Sequence, residues 1–466
     1  MLEQFGHMCA SIMSAEFQSQ LDAVVYFRRV LSFESRPPLD EVLAAGIAPR
    51  LVHLMADVRH PVLQFEAAWA LTNLASGASV HTRGVMDANA VPGFMALLAS
   101  PNLDVREQAV WGLANVAGDS PETRDVVLRH GAVAPLLRIV EDKENTRLSL
   151  VQSTLWALSN LCRGKPAPPF ESVSMMLPTM TRVLFTDDAM SVRDALWCIS
   201  FLSDGSNDQV QSVLESGCVS RVVELLTNPR FASCRTPALR VLGNIVTGDD
   251  KQTQTAINAG CIPALLAVLG SDKVSLRKEA CWALSNIAAG PPSQIQALVE
   301  HNAFHPVVDT LARDKFEIRK EAAWVIANAA AQANMAQISF IVERGAVGAL
   351  VPMLSSTDAK AVTVALNAIQ RILEAGRILM EADPHAEQNP FVLVLYKAEA
   401  MPILEQLQDH PNKDVYTLVD SILETYLDTE PAEEEEEMGG AAAMPAAAGM
   451  AAAAAAPPTF QHGLPP

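Results

Sequence analysis

Residues 105–117 read Val-Arg-Glu-Gln-Ala-Val-Trp-Gly-Leu-Ala-Asn-Val-Ala. Their apolar positions recur at steps of three and four, the period of a helix with one buried face. The stretch predicts a helix of about three and a half turns, closed by Gly118. Its central pentad returns along the chain as Trp69-Ala-Leu-Thr-Asn73, Trp111-Gly-Leu-Ala-Asn115, Trp156-Ala-Leu-Ser-Asn160, Trp282-Ala-Leu-Ser-Asn286 and Trp324-Val-Ile-Ala-Asn328. Two worn copies fill the gap, Trp197 with Phe201 and Arg240 with Asn244. Successive first positions lie 42, 45, 41, 43, 42 and 42 residues apart. A second marker, a helix start of the Gly-Ala-Val-Ala-Pro kind, keeps the same beat around Gly46, Ala90, Gly131, Gly217, Gly260, Asn302 and Gly345.

A period of about 42 residues belongs to armadillo and HEAT arrays. No segment shows the two-residue alternation of a strand. After the long helix, a short one is predicted over 122–129 and another over 133–140, and three helices per unit is the armadillo arrangement. Further units end in helices predicted over 21–31, 360–373 and 414–427. The expected fold is all-α, a right-handed superhelical solenoid of about ten armadillo repeats with one continuous core and a long concave face. The array is expected over residues 20–427. A short segment, 1–19, precedes it. Residues 428–466, with the acidic run Glu433 to Glu437 and then Ala, Gly, Met and Pro, bury too little apolar surface to offset ordering entropy.

Half of the 466 residues are hydrophobic, enough for a sizeable core, while the formal net charge is -19. That charge disfavours nucleic acid or an anionic membrane surface as the main partner and favours a basic one. The seven cysteines form no CxxC pair, as expected of reduced, buried thiols inside a cell. The first 20 residues lack Lys and Arg, so they do not read as a secretory signal. No window offers about 20 strongly apolar residues without charge or a breaker, so no membrane insertion is expected.

Trp and Asn four residues apart share one helix face. All six tryptophans of the chain occupy this repeat position. Leu, Ile, Val and Ala already supply each core, so the pair is expected on the open face as a ladder of indoles and carboxamides. An amide donates and accepts, and so pairs with an extended peptide of any sequence. Between neighbouring indoles, Lys or Arg stems would lie, their cations gaining roughly 0.5–2 kcal/mol each from the rings. Acid stands nearby: Asp119 lies four residues past Asn115, Asp194 and Asp204 flank Trp197, and Glu279 and Glu321 each precede a ladder Trp by three.

With Thr236-Pro-Ala-Leu-Arg240 and Gly243-Asn-Ile-Val-Thr-Gly-Asp-Asp250, this pattern resembles importin-alpha (karyopherin-alpha), the adaptor for nuclear localisation signals, over nearly the whole array. The resemblance implies two sites for Lys/Arg-rich peptides. The major one falls on Trp69, Asn73, Trp111, Asn115, Trp156 and Asn160, with Gly77, Thr82, Gln108 and Asp119 around a key lysine. The minor one falls on Trp282, Asn286, Trp324 and Asn328 with Glu279 and Glu321, and includes Arg240 and Asn244. Between them lie Asp194, Trp197, Phe201 and Asp204, where family members usually carry Tyr at the Phe201 position. No cofactor or metal is implied. The expected location is cytoplasm and nucleus. The family's basic arm, which binds importin-beta, would precede the first repeat; here the first lysine is Lys143, so that partnership lacks its usual residues. The last repeat and the acidic run resemble the family's surface for its nuclear export receptor.

Two other readings fit less well. A scaffold of the beta-catenin type needs Lys, Arg and His along the groove, where this chain has Trp, Asn and acid. An enzyme needs a constellation the sequence lacks: no phosphate loop, metal-ligand spacing or nucleophile elbow is present, and His301 and His305 lack the acid of an HExxH pattern.

Overall fold

A computed structural model describes residues 4–32, 36–142 and 144–427. The predicted tail, 428–466, lies outside them. The described chain is helical throughout, and its elements repeat in threes. The longest helix of each three forms one row: Phe17–Leu31, Pro61–Ala75, Leu103–Asp119, Leu148–Cys162, Ala189–Leu202, Arg235–Ile245, Val274–Ala288, Phe316–Gln332, Ala359–Ala382 and Lys413–Ile422. Each packs on the next, and shorter helices cover the row from behind.

These row helices are apolar around most of their circumference because they are flanked on three sides. The Leu103–Asp119 helix buries Val105, Ala109, Val110, Gly112, Leu113, Ala114, Val116 and Ala117. Each fully buried Leu or Val contributes roughly 1.5–3 kcal/mol. Asn102 starts the helix by accepting from the amides of Asp104 and Val105 at 2.8 and 3.4 Å. Gly118 does not close it, contrary to expectation, since the helix runs on to Asp119. A Cβ at Gly118 would stand 3.0 Å from Asn160 Nδ2, so the glycine makes room for the next row.

The second sequence marker is a corner between the two short helices. Gly46, Asn89, Gly131, Gly217, Gly260, Asn302 and Gly345 all have φ between 50 and 88°, the left-handed region open to Gly and tolerated by Asn. The marker expected at Ala90 thus belongs to Asn89. The beat fails once: the Phe170–Val173 helix continues through a 3-10 turn, Ser174–Met176, with no such corner. Arg124 bridges the neighbouring connection. Fully buried, it donates from Nη1 to the carbonyls of Arg163 and Pro166 at 2.8 and 2.9 Å and from Nε to Asp125 at 2.9 Å.

Two boundaries differ from expectation. The first 19 residues are not merely a leading segment, because a helix over Phe5–Ser11 sets Phe5 edge-on against Phe27 at 5.6 Å and Ile12 is fully buried. The helix expected over 360–373 continues to Ala382. Six of the seven cysteines are buried, with Cys9 half-buried; burial pushes the Cys261 thiol up to about 12, which leaves it inert as a nucleophile.

Candidate functional site

None of the six indoles is sealed between helix layers. Trp111 is 41% exposed and the other five are half-buried along the open side of the row. Rungs differ in their neighbours. Trp111 and Trp156 touch, with ring centroids 5.1 Å apart and planes tilted by 50°. A methylene stem between two ring faces needs about 7 Å, two contacts of roughly 3.5–4 Å. The slot expected here is therefore closed, and a stem enters only after one indole turns. Trp197 stacks on Phe201 at 5.8 Å. Trp282 lies against Gly243 of the preceding row, where a Cβ would come within 2.2 Å of its ring.

The carboxamides are less free than the sequence suggested. Asn115 donates to the Thr72 carbonyl at 3.0 Å, Asn160 to Ala114 at 3.1 Å, Asn244 to Ser200 at 2.9 Å and Asn328 to Ser285 at 2.9 Å. Asn244 also donates to Ser203 Oγ at 3.1 Å, and Asn73 to Ser32 Oγ at 2.8 Å. In Asn73, Asn115, Asn160 and Asn328 one N–H thus ties the row helix to the one before, leaving the oxygen and the second N–H for another partner, while Asn244 spends its amide nitrogen on both contacts. Asn160 and Asn244 are buried, as core residues would be. Asn286 breaks the pattern, its Nδ2 being buried without a partner.

Among the acids, Asp119 and Glu321 are half-buried and Asp194 is buried. Asp119 Oδ1 accepts from Ser79 at 2.8 Å, while Oδ2 is buried with no partner. Asp194 is only 5% exposed, and its Oδ1 accepts from Arg193 Nε at 2.8 Å. Its charge is turned inward, so it cannot serve as a groove acid. Asp204 is exposed and paired with Lys165 at 2.8 Å. Arg240 pairs with Glu279 at 2.6 Å, leaving Arg240 Nε and Glu279 Oε2 buried and unpartnered. Among the described residues no group of three or more His, Cys, Asp and Glu is placed to hold a metal ion.

The armadillo/beta-catenin-like repeat family matches residues 35–76, 85–118, 120–163, 206–247, 249–289 and 291–331, and an atypical armadillo repeat matches 389–440. Its unmatched span after residue 163 holds the unit without a left-handed corner. Over 429 residues the chain is 46% identical to importin subunit alpha-1b of Oryza sativa subsp. japonica, covering 91% of this chain and 79% of that protein. The chain belongs to the importin-alpha family. It is also 46% identical over 420 residues to importin subunit alpha-3 of Arabidopsis thaliana, covering 90% and 78%. Importin subunit alpha-B of Dictyostelium discoideum is 44% identical over 429 residues, covering 92% and 82%. A crystal structure of an engineered protein superposes with a TM-score of 0.80 at 25% identity, covering 90% of this chain and 97% of that one.

Set against the importin-alpha pattern, Gly77 and Asp119 flank the same corner of the row, since Ser79, two residues past Gly77, holds the Asp119 carboxylate. Thr82 departs from it. The residue is fully buried and its hydroxyl donates to the Ala75 carbonyl at 3.1 Å, so it shapes the wall without facing the opening. Gln108 is half-buried one turn before Trp111. Sequence reading missed Glu66, one turn before Trp69, and its partner Arg28; the position Glu66 shares with Glu279 and Glu321 was the available signal.

Burial pushes the Glu321 carboxyl above its ordinary range, with Lys278 and Lys320 pulling it partly back. The folded state therefore keeps a proton that the unfolded chain has released, and this contribution to stability falls as pH rises through the raised value. Glu321→Gln is expected to melt above the parent at neutral pH, with the difference vanishing below the ordinary glutamate range. Paired melting curves from pH 4 to 8, on the order of one reading per unit, check this; a constant difference would contradict it.

Proposed function

We propose that this importin-alpha is a nuclear import adaptor that holds Lys/Arg-rich localisation signals in an extended conformation along the row of Trp, Asn and acid, without performing chemistry on them. The observation carrying this reading is the Asp119 carboxylate. A buried, unpartnered carboxylate oxygen stands two turns along one helix face from the most exposed indole. Burying half a charge unpaired is costly, and a lysine ammonium of an incoming peptide removes that cost. The major site then centres on Trp111, Asn115 and Asp119, with Trp69, Asn73, Trp156 and Asn160 on either side. A minor site uses Trp282, Asn286, Glu321, Trp324 and Asn328. Arg240 with Glu279, and Trp197 with Phe201, separate the two. Importin-beta is a partner of such adaptors in general, a nuclear export receptor is taken to bind through the last repeat and the acidic tail, and the chain moves between cytoplasm and nucleus.

A fluorescent peptide with consecutive lysines is expected to bind in the micromolar to nanomolar range, roughly -8 to -12 kcal/mol. Its affinity falls as salt rises, because the charges are partly exposed. No binding, or affinity indifferent to salt, would overturn the reading.

A further inference from the structure

We infer that His81 is a positioning residue for the Asp119 end of the groove and holds that end only while its ring is neutral, so that the grip on a basic peptide loosens as pH falls. The inference rests on the peptide-binding reading above and adds a proton to it. His81 stands at a repeat position that Gln252 and Gln337 fill in other units. There the amide oxygen accepts from the backbone N–H three residues earlier, that of Asp249 or Asn334, each at 3.1 Å. The amide nitrogen donates to the unit before, to the Asn207 or Pro292 carbonyl at 2.8 or 2.9 Å. His81 reproduces both contacts with a ring. Its Nδ1 accepts from the Ala78 N–H at 3.0 Å, and its Nε2 donates to Asp40 Oδ1 at 2.9 Å. A backbone N–H can only donate, which fixes the tautomer with its hydrogen on Nε2.

An amide plays both parts at any pH; an imidazole does not. Imidazoles take up a proton between about pH 5 and 8, and here it would go on Nδ1. Two donors would then face each other at the Ala78 turn. The Asp40 pair holds the ring only weakly against this, since the Asp40 side chain is 88% exposed. The ring itself is buried and lies on Gly77, where a Cβ would stand 2.6 Å from Nδ1, so it is the turn that gives way. Within that turn Ser79 donates to Asp119 Oδ1. Once the turn moves, Ser79 no longer fixes the carboxylate proposed to meet a peptide lysine, and the imidazolium adds a positive charge to the same corner. Of the helices packed against the one carrying His81, Leu39–Ala44 brings Asp40 and Glu41, and Leu103–Asp119 brings Asp119 at its near end. Pro61–Ala75 has only Glu66, bound to Arg28, and Ala90–Leu97 has no charge. Arg83 and Asp87 stand on the same helix as His81. Carboxylates and guanidinium groups ordinarily hold their charge across this range, which leaves the imidazole as the group that switches.

The test is the affinity of the full chain for a labelled, end-capped run of lysines, read at fixed salt from about pH 7.5 down to about pH 5.5. Such a peptide carries no group that titrates there. The parent is expected to lose on the order of fivefold, the worth of one helix cap. His81→Gln restores the amide of the other units, and should match the parent at the upper pH and stay within about twofold of that value throughout. After correction for intrinsic exchange, amides of residues 78–82 should lose protection at the lower pH in the parent alone. A parent whose affinity does not change with pH, or a glutamine variant that falls alongside it, would overturn the inference. A parent that binds at neither pH would instead overturn the underlying peptide-binding reading.

Discussion

Asp119→Lys is expected to weaken a single-run lysine peptide by roughly 100-fold or more, about 3 kcal/mol, while Glu321→Lys costs it less than about threefold. The difference follows from what each carboxylate already does. Asp119 spends one oxygen on Ser79 and holds the other buried and unpartnered, two turns along the helix from the most exposed indole. It also ends the Leu103–Asp119 helix, whose last carbonyls add partial negative charge at the same spot. A lysine there removes the acid and puts a like charge where the peptide cation must sit. Asp119→Asn keeps the shape and should fall between parent and lysine variant. Fluorescence anisotropy on the parent and the three variants decides the matter, and equal losses from Asp119→Lys and Glu321→Lys would refute the two-site assignment.

Arg124→Met should be the most destabilising of single changes away from the groove, by about 3–5 kcal/mol. The guanidinium is fully buried and ties the Arg163 and Pro166 carbonyls to the Pro121–Arg129 helix. Methionine fills most of the volume but leaves two carbonyls and the Asp125 carboxylate without their donor. In a solenoid such a loss is local, since each unit contacts only its neighbours. Amide exchange should accelerate first across residues 121–183, before the ends of the array respond. Arg129→Met, on the exposed side of the same helix, should change stability by less than about 0.5 kcal/mol. If the two variants unfold at the same urea concentration, the clamp has no role.

The row helices were legible because a three-sided environment leaves a strong apolar period, and the Trp–Asn face because one spacing recurs. What one sequence could not show was which residues meet across rows. Gly118 resembled a helix end, yet it lies inside a helix to admit Asn160. Gly376 lies inside the long Ala359–Ala382 helix for the same reason, since a Cβ there would stand 2.0 Å from Asn389 Oδ1. Local pattern reads both as breakers; the cause is a side chain distant in sequence. Asp194 has the spacing of a groove acid, but its neighbour Arg193 draws the carboxylate inward. Arg28 and Glu66 are 38 residues apart, a pairing visible only once the repeats are stacked.

The outer side of the array repeats the logic of the Asn ties with another amide: Gln252, Gln294 and Gln337 donate to the carbonyls of Asn207, Asp250 and Pro292 at 2.8, 2.8 and 2.9 Å. Two units, those of Asn244 with Gln252 and of Asn328 with Gln337, are thus stitched twice, and the Asn thread is made of residues proposed to face a guest. Flexural stiffness and molecular reading consequently share one chemical group. Any bend that widens the inner margin pulls on the Asn stitches first, and a substitution made there to alter selectivity also changes how far the coil yields.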